Sequence, residues 1–222
     1  MDAKLFLMTG CLAGIVSACM HEKSDSASDI QQAVHTLVLE ADSLMQSDSL
    51  FWNQPIDKSH PQVCIHDSLI RQKLDSALAL RPDKQIYLLK YRYLLQSWRL
   101  QEVLDLLREM DGCMSDSMSS ELLPLKAVLL EDYKGDTLTA RRDFLRADSA
   151  YTIKIQQVAQ DSLMYGFARI EKALNLSLMQ NDFRPLREEI AFYERVHSSS
   201  INGIEQWKQI SDKATYYRKM FE

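Results

Sequence analysis

The chain has 222 residues, 46% of them hydrophobic, which suits a buried core and excludes disorder along its whole length. Its net charge of -5 comes from basic and acidic residues interspersed with one another, so no basic patch forms and nucleic acid is not expected as a partner. Of six glycines, Gly10 and Gly14 lie in the opening apolar stretch; Gly112, Gly135, Gly166 and Gly203 are too few for phosphate-cradling loops or for sheets built on tight hairpins.

In chain order, residues 5–16, "LFLMTGCLAGIV", make an apolar run of 12 after a start that carries Lys4. A bilayer-spanning helix needs about 20 residues, so the run fits a signal-peptide core that is removed. It ends at Val16-Ser17-Ala18-Cys19. These four residues resemble the lipobox of bacterial lipoproteins: a branched apolar residue, two small residues and an obligatory cysteine. The resemblance implies that residues 1–18 are cut away, that the Cys19 thiol carries a diacylglyceryl group, and that the usually acylated N-terminus then anchors the protein in the cell envelope. An outer-membrane site, facing the periplasm or the surface, is the expected location. Two or more acyl chains hold a protein firmly, since each buried methylene contributes about 0.8 kcal/mol. The alternative is ordinary secretion, in which Val16 and Ala18 serve a general signal peptidase. Residues 19–28 are polar and serine-rich and read as a flexible tether.

Residues 29–222 read as a single helical domain. Ile30, Ala33, Val34, Leu37, Ala41, Leu44 and Met45 follow a three-four spacing that predicts an amphipathic helix over 29–45. After a stretch with Pro55 and Pro61, helical patterns cover 65–81, 85–97, 100–110, 118–133, 137–158, 162–180, 184–197 and 203–221. Asp-Ser at 67, 116 and 161 stands where helices are expected to begin, with side chains able to cap free amides.

One spacing recurs in the second helix of four pairs: Ile70, Leu74, Ala77; Val103, Leu107, Met110; Ala140, Phe144, Ala147; Leu186, Ile190, Tyr193. "KLDSALALRPD" at 73–83 resembles the end of a tetratricopeptide repeat, and "KGDTLTARRDFLRA" at 134–147 resembles the turn and second helix of another. The repeats start 33, 37 and 46 residues apart instead of a constant 34, and the glycine that lets paired helices touch is expected to be missing. The expected fold is all-α, an antiparallel helix-pair array of tetratricopeptide-like α-solenoid type; an irregular helical bundle is the alternative.

No metalloprotease, nucleophile-elbow, Walker or dinucleotide fingerprint is present, so the chain is not expected to be an enzyme or to carry a cofactor. In "HPQVCIHD", His60, Cys64, His66 and Asp67 are metal-capable types, but their spacing fits no standard zinc finger and the expectation is no metal. Cys64 and Cys113 are the thiols left once Cys19 is modified; in an exported compartment they would form a disulfide or stay buried and free.

The tetratricopeptide resemblance implies a partner-binding groove along the first helices. Gln85, Arg92 and Gln96 form the polar stripe of a helix otherwise rich in Leu and Tyr, and Glu171 and Asn175 take matching positions in the last pair. The bland alternative is that this stripe is only the wet face any helix needs. Arg92 is the expected anchor, since a guanidinium holds a carboxylate by two bonds. The function expected from these features is a non-catalytic, membrane-anchored adaptor for an envelope protein or peptide. The alternatives are a small-molecule, glycan or metal-binding lipoprotein, with Trp52, Trp98 and Trp207 as aromatic platforms, or an accessory subunit of outer-membrane protein assembly.

Overall fold

Leucine, alanine and glutamine at three-four spacing, with few glycines, favour helix over most of the chain. The computed structural model describes residues 27–46, 61–113, 120–160, 162–196 and 204–221, and all regular structure among them is helical. Val16 to Cys19, Trp52, His60, the Asp-Ser at 116 and Gly203 lie outside the described residues. By contact the chain divides into two compact units, Met1–Lys90 and Tyr91–Glu222, where the sequence suggests one domain from 29 onward.

The first unit holds α1 (27–46), α2 (Pro61–Leu80) and the start of α3 (Lys84–Gln96). α1 begins inside the segment read as tether. Val34, Ala41 and Met45 turn inward as expected, whereas Ile30 and Ala33 are exposed, so its first turns add little to the core. Glu40 pairs with Lys73 and Gln31 with Arg81, which sets α1 and α2 antiparallel. α2 starts at Pro61, earlier than the expected residue 65: proline suits the first helical position because its missing N–H would have no partner there. Asp67 is therefore inside the helix and not its cap, and it sits 3.4 Å from Arg71 one turn on. Lys90 reaches Asp75 at 2.6 Å and ties α3 to α2.

The second unit contains α4 (Leu100–Cys113), α5 (Leu122–Lys134), α6 (Thr137–Gln157), α7 (Leu163–Gln180), α8 (Arg184–Val196), α9 (Glu205–Lys208) and α10 (Lys213–Phe221). From α4 to α9 each helix packs on the next in sequence, and α5 also meets α7. The twelve residues of the recurring spacing are all buried, none more than 6% exposed.

Three turns share one construction. α3, α5 and α7 each end in a residue with left-handed backbone, Trp98 at φ 54°, Gly135 at φ 62° and Asn181 at φ 51°. The amide that follows each turns back to a carbonyl of the last helical turn: Arg99 to Leu94, Asp136 to Leu130, Asp182 to Ser177. The next helix then starts within three residues of it. Asp136 caps α6 by accepting from the Thr139 amide at 3.0 Å, and Ser162 caps α7 through the Tyr165 amide at 3.1 Å, as the Asp-Ser at 161 predicts.

One glycine is required by packing. Gly166 of α7 is buried beneath the Tyr193 ring of α8, and a Cβ built on it would lie 1.8 Å from a ring carbon. The helix expected over 203–221 is two helices. Asp212 accepts from the Thr215 amide at 2.7 Å, while Thr215 Oγ1 accepts from the amides of Ser211 and Asp212. Those side chains satisfy the first amides of a new helix and so restart α10.

Candidate interaction surfaces

A cleft of about 570 Å³ opens among α6, α7 and α8. Ile155, Ala173, Leu176 and Pro185 give it apolar lining, and Tyr165 and Phe192 add aromatic rings. α7 supplies Tyr165, Arg169, Lys172 and Leu176 at steps of four, three and four, the spacing that lines one helix face. Arg169 sits between the rings, with its guanidinium carbon 5.6 Å from the Tyr165 centroid and 4.8 Å from that of Phe192. It grips Glu189 with two bonds, of 2.7 and 3.0 Å. Those bonds hold its pKa above the usual arginine value, so its charge is permanent. Lys172 donates to Thr152 Oγ1 at 2.7 Å and lies 3.5 Å from Asp148. Phe192 is 42% exposed, so the cleft offers accessible apolar surface beside two anchored cations.

A second polar cluster lies among α4, α5 and α6. Lys126 is 3% exposed and its ammonium lies 2.5 Å from Asp111 and 3.0 Å from Asp143, which is fully buried. Arg146 bonds both carboxylates, Asp111 at 2.8 and 2.9 Å and Asp143 at 3.0 Å. The Arg146 hydrogen bonds, and then Lys126, hold the Asp111 carboxyl well below the usual carboxylate range. Two cations and two anions thus neutralise one another across three helices. With Lys126 and Asp143 buried, this cluster cross-links the three helices.

The sequence-predicted groove residues are distributed unevenly. Gln85 and Arg92 of α3 are exposed and Gln96 is half-buried. Glu171 is half-buried and bonds Lys154 of α6 at 2.8 Å. Asn175 is not a groove residue: it is fully buried and donates to the Phe144 carbonyl at 3.0 Å. Glu171 and Asn175 thus lie on the stripe of α7 that turns toward α6, whereas Arg169 and Lys172 line the open cleft. Helical periodicity makes both stripes plausible, and packing chooses between them. The signal that points to the cleft in sequence is Tyr165 four residues before Arg169, which places a ring beside a cation.

Cys64 of α2 and Cys113, the last residue of α4, are both exposed and neither is in a disulfide, so this structure has neither the expected bridge nor the buried thiols. Among the described residues no group of three or more His, Cys, Asp or Glu side chains could hold a metal ion, and no helix is long and apolar enough to cross a membrane. Trp98 is 52% exposed in its turn. Trp207 packs on Phe167 at 5.4 Å between centroids, and Phe167 stacks on Tyr193 at 6.1 Å, so that tryptophan fills an interhelical contact. Comparison with known proteins finds no matching family model, no matching curated protein and no matching solved structure.

Proposed function

We propose that this chain is a lipid-anchored envelope adaptor, a tetratricopeptide-like helix-pair array fastened through Cys19 that holds a segment of a partner protein without catalysing a reaction. The array reading is supported by the three alike turns at Trp98, Gly135 and Asn181, and by the glycine-on-tyrosine contact between α7 and α8. The cleft carries the binding reading: exposed Phe192 accepts an apolar side chain, and Lys172 and the Arg169–Glu189 pair offer polar groups of both signs beside it. The anchor rests on the lipobox-like residues 16–19.

Two measurements test this function. Cys19→Ser is expected to abolish incorporation of labelled fatty acid and to leave the precursor uncut; labelling at the wild-type level would refute the anchor. Phe192→Ala is expected to weaken recovery of a stoichiometric partner from detergent-solubilised membranes about ten-fold, the equivalent of about 1.4 kcal/mol. Unchanged recovery would take the cleft out of the function. The second reading, a small-molecule binder, is favoured by the cleft volume, which falls within the range of about 300–1,000 Å³ for ligand pockets. A saturable, ligand-dependent rise in melting temperature without any partner would establish that reading instead.

A further inference from the structure

The C-terminal helix α10 folds back on its own unit. Its nine residues, KATYYRKMF, contain Lys213, Arg218 and Lys219 and no acid. A helix this short does not persist alone in water, so α10 owes its helical form to what it rests on. Lys213 pairs with Glu131 of α5, and the Tyr217 hydroxyl donates to Asp132 Oδ2 at 2.7 Å. Both acids stand in the last turn of α5, where the helix dipole adds partial negative charge. Tyr216, between the two polar anchors in sequence, is 3% exposed. Burial pushes its hydroxyl well above the usual tyrosine pKa, and the hydroxyls of Tyr91 and Tyr151 lie near enough to add to that shift.

We infer that the acidic end of α5, at Glu131 and Asp132, is a docking surface for a short cationic helix that carries tyrosines three and four residues after a lysine, and that α10 is its tethered occupant. Charge complementarity selects this occupant: a helix with three cations and no acid sets Lys213 on Glu131 and a tyrosine hydroxyl on Asp132 at a negative helix end. The Lys213 and Tyr217 contacts are polar and partly exposed, so a partner helix with the same spacing satisfies them equally well. A tethered segment competes through its high local concentration, which raises the apparent dissociation constant for any rival. This surface uses none of the cleft residues and does not depend on the cleft binding anything.

The test uses the full chain and a fluorescent peptide with the sequence of residues 209–222. In the variant Lys213→Gln with Tyr217→Phe, α10 loses both polar anchors and keeps Tyr216. The variant is expected to bind the peptide about ten-fold more tightly than the unaltered chain, because its own helix competes less. Binding is expected to weaken as salt is raised, and to vanish when the peptide carries alanine in place of the residue matching Tyr216. Equal affinity for both chains, or binding by neither, would overturn the inference. Loss of the cooperative melting transition in the variant would overturn it too, since α10 would then be an integral part of the core and not an exchangeable occupant.

Discussion

Replacing Lys126 by methionine is expected to destabilise the fold by about 3–5 kcal/mol, the usual result of removing one partner from a buried ion pair. The change keeps the helix propensity and most of the side-chain volume. What it removes is the ammonium 3.0 Å from a fully buried Asp143 carboxylate, leaving that carboxylate with Arg146 alone. For a protein of this size the loss corresponds to a fall in melting temperature of roughly 10 °C. Adding Asp143→Leu to Lys126→Met is expected to restore most of the stability, because no uncompensated charge stays buried and Arg146 keeps its bonds to Asp111. Differential scanning calorimetry of the single and double variants checks both statements. A Lys126→Met chain that melts like the wild type would show that the cluster contributes little.

Gly166→Ala is the second substitution expected to act strongly, although it adds a single methyl group in a helix where alanine is intrinsically favoured. Propensity alone predicts a gain of about 1 kcal/mol. The new Cβ would lie 1.8, 2.4 and 2.9 Å from three carbons of the Tyr193 ring, so α7 and α8 must separate or the ring must leave the core. Overpacking of this kind costs about 1–3 kcal/mol, which reverses the sign of the propensity effect. The ring has little freedom to yield, since Tyr193 is 3% exposed and Phe167 stacks on it. A double-mutant cycle separates the two effects: on a Tyr193→Ala background, itself destabilised by a cavity, Gly166→Ala is expected to be neutral or stabilising. An equal loss on both backgrounds would place the cost elsewhere than in the ring contact.

Much of the helical framework is legible from apolar spacing because an amphipathic helix repeats its buried face every three or four residues wherever it packs. The twelve residues picked out by that spacing are all core residues, and the Lys134-to-Ala147 segment forms a turn at Gly135 and a helix capped by Asp136. Boundaries were harder to read where local chemistry outranks periodicity. Pro61 extends α2 toward the N-terminus, and the Ser211, Asp212 and Thr215 side chains split the last helix. Lys126 carried a signal, as one charge within "LLPLKAVLL", but its partners lie 15 residues before it and 17 after it.

The site was less legible than the helices. Glu171, Asn175, Arg169 and Lys172 share one helix, and spacing shows that they fall on different stripes without saying which stripe a neighbour covers. Local patterns alone therefore determined that the described part of this protein is helical, where most helices run, and which residues of the recurring spacing face inward, since those depend on interactions within a few turns of the same helix. Only tertiary packing decided that Asn175 is sealed against α6, that Arg169 lies between two rings, that Gly166 must have no side chain and that α10 rests on α5. Each of those outcomes depends on atoms brought together from helices far apart in sequence, whose approach no local spacing encodes.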